Sequence, residues 1–320
     1  MVPVLLAPDC RAPGECDVHS ERDAQGVSGP LIGVTGAPGN VGTPLVGELL
    51  RRGARVRVLA RHPEKVRQAF ADAPPSQIEF GTLEFGKRRT YLNAFDGLEK
   101  LFVLRPPAVS QVSKDMFPAL DVALGAGVRH FVLLSLQGAD RLPFTPHAQL
   151  EKHLEGNGAA HTFLRPSFFM QNLTTTHLPE LKKGIIAVPA GNGRTSFVDA
   201  NDVGEAAAVV LTEGGHENRA YELTGPDALT YREVAEIFTR VTGHLYRSTD
   251  PSPLAFYRQM RARGVDRSQI LVMEAIYATA RLGLAKHVSD DLPALLGRPA
   301  HSIEDFARTL PALLQGDHHA

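Results

Sequence analysis

The sequence predicts an α/β fold: a Rossmann-type doubly wound parallel sheet with a smaller, mostly helical C-terminal lobe. Two observations lead to this prediction. Short apolar runs alternate with segments of helical spacing from Leu31 onwards, and a glycine-rich loop separates the first run from the first helical segment. Strands that alternate with helices are joined by right-handed crossovers, which produce a parallel sheet covered by helices on both faces.

The first half of the chain has the clearest alternation. Its apolar runs predict strands at Leu31–Thr35, Arg55–Ala60, Gln77–Gly81, Leu101–Leu104, Phe131–Leu134 and His161–Leu164. The segments between them predict helices at Val41–Arg52, Pro63–Phe70, Tyr91–Phe95, Val112–Gly125 and His147–Glu155. Glycine stands at positions expected for helix C-caps, at Gly53, Gly127 and Gly158.

The alternation becomes looser after Arg165-Pro166, where the connections lengthen. A helix is predicted at Val203–Leu211, with Asp202 as its N-cap. Thr230 and Glu233 form a capping-box pattern before another helix. The remainder of the chain is mostly helical in pattern.

These patterns divide the chain into three parts. Residues 1–29 hold prolines, glycines and charges without a sustained period, so we expect a disordered or loosely attached tail. Residues 30–165 are the predicted NAD(P)-binding Rossmann domain, and residues 166–320 are the predicted lobe on the substrate side. A strand is also predicted near 220–224 in this lobe, and the sequence leaves open whether it pairs with the main sheet.

The composition argues against several functional classes. The 34 basic and 35 acidic residues leave a formal net charge of −1, so we expect no nucleic-acid partner. No apolar stretch reaches the ~18 residues of a membrane helix, and Met1–Ala7 lacks the basic region of a secretory signal. We therefore expect a soluble, cytoplasmic protein. Cys10 and Cys16 are interpreted as incidental thiols, and no metal site is expected, His318-His319 being too isolated to form one.

The strongest functional signal is the loop Thr35–Gly42, with the sequence TGAPGNVG. It lies between a predicted strand and a predicted helix, which is the setting of a dinucleotide-binding loop. Gly36 permits a tight turn, Gly39 lets the backbone approach a pyrophosphate, and Gly42 lets helix and strand pack closely. The residues expected to contact the cofactor phosphates are Gly36, Ala37, Pro38, Gly39, Asn40, Val41 and Gly42, at the positive end of the helix.

The end of the second strand bears on the choice of cofactor. NAD enzymes commonly place an acidic residue here to bind the ribose 2′-hydroxyl, whereas this chain has Arg61 and no acid. The guanidinium of Arg61 suits a 2′-phosphate, so NADP(H) is favoured over NAD(H). The alternative is that Arg61 is a solvated surface residue.

Together with the loop, several segments resemble the NmrA-like branch of the atypical short-chain dehydrogenases/reductases, particularly its quinone-reductase and azoreductase-like members. These segments are Leu104–Pro107, Ser135–Ala139, Phe163–Asn172, Gly191–Gly193, Gly215–Glu217 and Tyr221–Leu223. The resemblance implies that the cofactor site also contains Arg61, Arg105, Pro106, Pro107, Ser135, Pro166, Ser167 and Phe168. Thr82 departs from the family pattern, in which many members have Asp after the glycine of the third strand.

The chain lacks the Tyr-Lys dyad of typical short-chain dehydrogenases, because none of its six tyrosines is followed by Lys at the fourth position. After the fifth strand, His147 and Glu151 lie one helical turn apart, where Glu151 would raise the proton affinity of the imidazole. This pair is the candidate catalytic group, as a proton donor or a contact to the nicotinamide ribose. A solvent-facing i, i+4 pair is the equal alternative.

Hydride chemistry does not require the dyad, because the nicotinamide carries the hydride and the protein binds and orients the acceptor. The acceptor pocket is expected to contain Gln137, Phe168, Phe169 and Met170, and ordinary core packing is the alternative for the three apolar side chains. The sequence thus predicts an NAD(P)H-dependent oxidoreductase that reduces a small conjugated acceptor, such as a quinone or an azo compound.

Two other functions stay open. Some members of the resembled family bind NAD(P) without turning it over and sense its redox state while contacting a regulatory protein. The missing dyad suits such a non-catalytic sensor as well as it suits a reductase. A sugar-nucleotide or flavonoid-type reductase would want the missing Tyr, or a Lys in its place. The sequence specifies neither the acceptor nor the oligomeric state.

Overall fold

The computed structural model describes residues 29–315. Residues 1–28, which make up nearly all of the predicted tail and include Cys10 and Cys16, lie outside this part of the chain. The pair His318-His319 lies outside it as well.

Strands alternate with helices in the first half, in the predicted order. The strands are β1 (Leu31–Thr35), β2 (Arg55–Ala60), β3 (Ile78–Thr82), β4 (Lys100–Leu104), β5 (His130–Leu134) and β6 (Ala160–Pro166). The helices are α1 (Gly42–Arg51), α2 (Pro63–Ala69), α3 (Tyr91–Phe95), α4 (Val112–Asp115), α5 (Phe117–Gly125) and α6 (Pro146–Gly156). The single helix predicted over 112–125 is divided at Met116, because Pro118 in the first turn of α5 has no N–H to donate.

The second half contains short strands and more helices. Its strands are β7 (Phe168–Phe169), β8 (Ile185–Ala187), β9 (Thr195–Val198), β10 (Arg219–Leu223), β11 (Ala228–Leu229) and β12 (Arg247–Thr249). Its helices are α7 (Leu178–Leu181), α8 (Ala200–Thr212), α9 (Tyr231–Thr242), α10 (Pro253–Ala262), α11 (Arg267–Arg281), α12 (Asp291–Leu296) and α13 (Ile303–Gln315). The predicted capping box is present at the start of α9, where Thr230 and Glu233 each accept the other's backbone N–H.

Seven strands form one parallel sheet in the order β10-β6-β5-β4-β1-β2-β3. β1 pairs with β2 on one side and with β4 on the other, so the direction of strand addition reverses at β1. β10 pairs in parallel with β6, so the strand near 220–224 returns to the main sheet. The predicted Rossmann-type doubly wound sheet is therefore confirmed. The domain boundary at residue 165 stays a prediction.

Helices cover both faces of this sheet. On one face α1 and α8 enclose a core that includes Leu45 and Val203. On the other face α3, α5 and α6 enclose a second core that includes Leu120 and Leu154. A third core joins α9, α10, α11 and α13 in the C-terminal lobe. No helix within residues 29–315 has both the length and the apolarity needed to cross a membrane.

The start of α8 differs from the prediction. Its N-cap is Asp199, whose carboxylate accepts the N–H of Asn201 at 2.7 Å. Asp202 is fully buried in the first turn, where its carboxylate accepts hydrogen bonds from the N–H of His301 and the guanidinium of Arg298. The prediction of Asp202 as N-cap is wrong because these partners come from a distant part of the chain, which local spacing does not reveal.

The two helices on the first face approach each other closely at Gly204 of α8. A Cβ atom added to Gly204 would lie 2.9 Å from the backbone nitrogen of Leu45 and 3.0 Å from the carbonyl oxygen of Val41. Both atoms belong to the backbone that forms the first turns of α1. The packing of α8 therefore helps to fix the position of the helix that follows the glycine-rich loop.

Gly204→Ala is expected to lower the free energy of unfolding by about 1–3 kcal/mol, because the new methyl group overlaps the backbone of α1. Urea unfolding followed by circular dichroism measures the change. Gly47→Ala is the matched control, since Gly47 lies on α1 with open space around an added Cβ. This control should raise the free energy of unfolding by about 0.5–1 kcal/mol. Equal effects of the two substitutions would contradict the close contact.

Candidate active site

The glycine-rich loop leaves the sheet where the direction of strand addition reverses, between β4 and β2. The hydroxyl of Thr35 donates to the carbonyl of Phe102 at 3.1 Å and accepts the N–H of Leu104 at 2.8 Å. Thr35 thus holds the carboxyl ends of β1 and β4 together directly beneath the loop. In open α/β sheets, ligands bind in the crevice at this reversal point.

The packing of the loop itself requires its three glycines. Gly36 has φ +85°, which lies in the left-handed region that favours glycine. A Cβ atom on Gly39 would lie 2.6 Å from the carbonyl oxygen of Gly36, and one on Gly42 would lie 2.5 Å from the same oxygen. A side chain at either position would push the loop open. The loop therefore winds closely around the carbonyl group of Gly36.

The N-terminus of α1 is suited to an anion. No side chain caps it, and its first turn contains no acidic residue. No group within residues 29–315 accepts the backbone N–H of Asn40, Val41 or Gly42. Unsatisfied N–H groups and the positive end of the helix dipole attract phosphate oxygens. The loop from Gly36 to Gly42, including Ala37 and Pro38, thus fits the pyrophosphate of a dinucleotide.

Arg61 is exposed directly after β2, beside the carboxyl end of the sheet. Its acidic neighbour Glu84 pairs with Lys87 at 2.8 Å, and Lys87, more than Arg61, lowers the pKa of this carboxyl. Among the described residues no carboxylate forms an ion pair with Arg61. Its guanidinium is therefore available to an anionic ligand, and Thr82 at the end of β3 brings no opposing charge.

Arg105 and His147 meet at the carboxyl end of β4, where Pro106 and Pro107 continue the turn. Nε of Arg105 donates to Nε2 of His147 over 3.5 Å, and the same guanidinium donates to the carbonyl of Val109 at 2.7 Å. Burial, and secondly the charge of Arg105, lower the pKa of His147 to about 4. The imidazole is neutral near pH 7, and since Nε2 accepts, its proton lies on Nδ1. Nδ1 is buried without a partner in the described part of the chain.

Glu151 does not act on His147. Its carboxylate accepts two hydrogen bonds from Arg165, at 3.0 Å and 2.7 Å, and the side chain is buried. The predicted effect of Glu151 on the imidazole is therefore wrong, and so is the alternative of a solvent-facing pair. The reason is that β6 runs beside α6 and presents a guanidinium, which matches a carboxylate with two parallel bonds.

Ser135 and Gln137 follow β5 and lie next to this site. Ser135 is 5% exposed, and its N–H donates to the carbonyl of Leu164 at 2.7 Å. Its hydroxyl is buried without a partner among residues 29–315. Nε2 of Gln137 donates to the carbonyl of His287 at 3.2 Å. Gln137 thus supports a connection of the C-terminal lobe, while the Ser135 hydroxyl is buried near the carboxyl end of β5 without a partner in the described residues.

The residues after β6 join the sheet to the C-terminal lobe. The buried Pro166 ends β6, and the hydroxyl of Ser167 accepts a hydrogen bond from the hydroxyl of Ser196 at 3.0 Å. Phe168 is half-buried and packs edge-on against Phe197, with the ring centroids 5.7 Å apart. These contacts place Phe168 at the border between the sheet and the lobe.

The apolar side chains predicted for the acceptor pocket have different surroundings. Met170 is fully buried in the core of the C-terminal lobe, so core packing describes it and its side chain has no free surface. Phe169 is half-buried and packs against the core under α1 and α8. Phe168 and Phe169 are thus only partly buried, and Phe168 packs against the core that encloses Met170.

No tyrosine in the described residues takes the place of the missing dyad. Tyr277, which has Arg281 one turn later, is buried in the C-terminal lobe. Its hydroxyl forms a 2.5 Å hydrogen bond with Nε2 of His177, and burial raises the pKa of Tyr277 well above its usual range. Within residues 29–315, no three metal-ligating side chains gather in a cluster that could hold an ion.

The structure brings most of the predicted cofactor residues to one edge of the sheet. The loop, Arg105, Ser135 and His147 lie at the carboxyl ends of β1, β4 and β5, and Arg61 lies at the end of β2. Two contributors had no signal in the sequence, namely Ser196 and the connection 282–290. Both lie in short or irregular segments, where side-chain periodicity carries no information.

A model described as the NmrA-like family matches residues 29–290 of this sequence, which is most of the chain. The chain belongs to the NmrA-like family. The resemblance read from the loop and from the segments after the fourth, fifth and sixth strands is therefore confirmed.

Several proteins similar to this chain are reductases by name. An NAD(P)H azoreductase of Xenophilus azovorans is 33% identical over 285 residues, which cover 87% of this chain and 97% of the relative. The structure of an NADPH-dependent quinone oxidoreductase from Escherichia coli, complexed with NADPH, is 26% identical and superimposes with a TM-score of 0.77. The triphenylmethane reductase of Citrobacter sp., complexed with NADP(H), is 26% identical with a TM-score of 0.76. Each structure covers 87% of this chain, which in turn covers 99% of theirs.

Because burial lowers the pKa of His147, the free energy of unfolding depends on pH. Its pKa falls from an ordinary 6.5 to about 4 on folding, so the unfolded chain binds more protons between these values. This contribution to stability is complete above the unfolded pKa and is lost as the pH falls towards 4. We expect His147→Asn to lose less stability than the wild type between about pH 7 and about pH 4.5 in urea unfolding. An NMR titration of the His147 ring with a midpoint near its ordinary value would contradict this.

Proposed function

We propose that this protein is an NADPH-dependent reductase that transfers a hydride to a small conjugated acceptor, such as a quinone or an azo compound. The observation that carries the proposal is a set of polar groups at the crevice without partners among the described residues. They are the amides of residues 40–42, the hydroxyl of Ser135 and Nδ1 of His147. Buried polar groups in proteins are normally paired, so these groups point to a ligand. A dinucleotide offers phosphate, ribose and carboxamide groups to all of them.

The relatives support the nature of the acceptor. By name they reduce an azo compound, a quinone and triphenylmethane dyes, and all three kinds of compound contain conjugated systems. Such an acceptor spreads the arriving negative charge over several atoms. It therefore needs little help from a strong protein acid, which agrees with the absence of a Tyr-Lys dyad in this chain.

The chemistry is divided between cofactor and chain. A bound reduced nicotinamide supplies the hydride, while the residues of the crevice bind and orient. The loop amides hold the pyrophosphate, and Ser135 and His147 hydrogen-bond to the nicotinamide end. Because the pKa of His147 is about 4, its imidazole donates a hydrogen bond near neutral pH and is not the proton source. The proton that completes the reduction comes from solvent.

The preference for NADPH rests on Arg61. Its guanidinium is exposed at the end of β2 without a carboxylate partner in the described residues, and residues 59–63 contain no acid that would bind a 2′-hydroxyl or repel a 2′-phosphate. Arg61 is proposed to pair with the 2′-phosphate through charge-assisted hydrogen bonds.

Purified protein is expected to oxidise NADPH when a panel of quinones and azo dyes is added, measured as loss of the nicotinamide absorbance. His147→Asn should lower kcat/KM about five- to tenfold, the effect of one lost hydrogen bond. His153→Asn is the matched control, since His153 lies on the same helix but contacts Asp121 at 2.8 Å, outside the crevice. This control should keep the wild-type rate.

The alternative outcomes separate the two functions that the sequence leaves open. Tight NADPH binding without turnover of any acceptor would overturn the reductase proposal and favour a non-catalytic redox sensor. Failure of the folded protein to bind either nicotinamide cofactor in calorimetry would overturn both.

Arg61→Ala is expected to weaken NADPH binding about 10- to 100-fold, because charge-assisted hydrogen bonds to the 2′-phosphate are lost. NADH binding should change less than about threefold. Calorimetric titration with both cofactors measures the two affinities. Arg129→Ala is the control, since Arg129 is exposed just before β5, at the opposite end of the sheet. Equal losses for NADPH and NADH would remove the proposed role of Arg61.

A further inference from the structure

The C-terminal lobe has an apolar surface that the rest of the described chain does not cover. Among residues 29–315, ten large apolar residues are exposed, and six of them lie within 271–288. These six are Leu271, Val272, Ile276, Leu282, Leu284 and Val288, with exposed fractions between 38% and 74%. Single exposed apolar residues are normal on a protein surface, whereas a concentration of them marks a site of interaction.

Helix α11 provides the centre of this surface. Between Gln269 and Arg281, all of its exposed side chains are apolar, namely Leu271, Val272, Ala275, Ile276 and Ala278. Side chains three and four residues apart share one side of a helix, so together with Leu282 these residues form one stripe, called the α11 face here. Ile270 and Tyr277 are buried in the core of the lobe, so the α11 face is directed away from that core.

The turn that ends α11 extends the apolar surface. Leu282 is the C-cap of the helix, and Gly283 follows with φ +75°. The N–H of Leu284 then donates to the carbonyl of Thr279 at 2.9 Å. A turn of this kind folds the chain back over the last turn of the helix, so the exposed Leu284 lies beside the end of the α11 face.

The order of side chains along the α11 face is symmetric. Ala275 and Ala278 lie in the middle, Leu271 lies four residues before Ala275, and Leu282 lies four residues after Ala278. If a second copy packs antiparallel about a two-fold axis, Leu271 of each copy meets Leu282 of the other, and Ala275 meets Ala278. The small alanine side chains let the two helices approach closely in the middle.

The charges at the two ends of the α11 face permit this pairing. Arg267 lies at one end directly after Asp266, and Arg281 lies at the other end, where it pairs with Asp250 at 2.6 Å. Antiparallel packing brings one end of each copy close to the opposite end of the other. Because both ends hold balanced charges, little repulsion results, and the exposed Lys286 lies at the rim, where salt screens its charge.

A small-molecule ligand suits this surface poorly. Sites for small molecules are concave, whereas the α11 face is the outer side of a helix. The neighbouring cleft, which Arg281 and Lys286 form with Asn192–Arg194, is lined mainly by polar and basic groups. The apolar side chains therefore need a partner with a matching extended surface.

The area of the surface matches a weak dimer. At their exposed fractions the six apolar residues present roughly 500 Å², within the range of about 300–600 Å² found for the largest patch on a monomer. Two copies would cover about 1,000 Å² of apolar surface together, and the polar rim adds to this. A specific interface buries at least about 1,200 Å² in total, so the α11 face lies near this lower bound.

We propose that the α11 face is a dimer interface, at which a second copy of this chain packs its own α11 antiparallel to the first. The interface is independent of hydride transfer and of the cofactor crevice. Its modest area predicts a dissociation constant of about 1–100 μM. The full chain should therefore change from monomer to dimer over this range of concentration.

Sedimentation velocity of the full chain measures this change. Ala275→Glu and Ala278→Arg are each expected to raise the dissociation constant at least about tenfold, because each places a charge in the apolar middle of the interface. Both positions are exposed, and Glu and Arg are good helix formers, so the fold should be retained. Leu92→Glu is the matched control, since Leu92 is 71% exposed on α3, outside the lobe. This control should keep the wild-type dissociation constant.

A mixture of the two α11 variants tests the symmetry directly. The new carboxylate of one variant meets the new guanidinium of the other, so the mixture should form a dimer that neither variant forms alone. Failure of the mixture to recover the dimer would overturn the two-fold pairing. A wild-type chain that is monomeric up to about 500 μM, or a dimer that persists in both variants, would overturn the interface. A monomeric wild type together with a raised KM for a quinone in Ala275→Glu would assign the face to the acceptor instead.

Discussion

The site depends on the close packing of the glycine-rich loop around the carbonyl of Gly36. A Cβ atom added at Gly39 or Gly42 would lie within 2.6 Å of this oxygen, which is too close for a van der Waals contact. The contact places the first turn of α1 over the reversal point of the sheet, with its N–H groups unpaired among the described residues. Gly204 of α8 fixes the same helix from its other side. Backbone packing, and not charged side chains, thus creates the positive pole at which a pyrophosphate fits.

Several charged side chains near the crevice are engaged by other groups of the protein. Arg165 is committed to Glu151, and Arg105 is folded onto Val109 and His147. Burial then keeps His147 neutral, so that it offers a hydrogen bond instead of a charge. Arg61 is exposed at this edge, and the described residues provide no ion pair for it or for the exposed Arg89 after β3. Neutral hydrogen-bond donors such as the loop amides and the His147 imidazole suit a large, mostly polar ligand.

The C-terminal lobe completes the crevice through connections more than through helices. Ser167 and Phe168 carry the chain from β6 into the lobe, and Ser196 and Gln137 donate hydrogen bonds to backbone carbonyls in the connection between α11 and α12. Met170 and Tyr277 support this region from within the third core. The sheet side therefore provides the unpaired polar groups of the crevice, while the lobe closes the crevice with side chains such as Phe168.

The sequence by itself determined the strand and helix order of the first half, the position of the phosphate loop and the family. These features are local, since side-chain periodicity and the spacing of Gly36, Gly39 and Gly42 depend on neighbours in the chain. Only the tertiary structure showed that Glu151 pairs with Arg165 and that Met170 lies in the core of the C-terminal lobe. It also showed that Asp202 is a buried hydrogen-bond acceptor and not an N-cap. It also placed the connection between α11 and α12 against Gln137 after β5 and Thr224 after β10. Each of these depends on a partner elsewhere in the chain. Local sequence patterns do not show which of these groups come into contact when the chain folds.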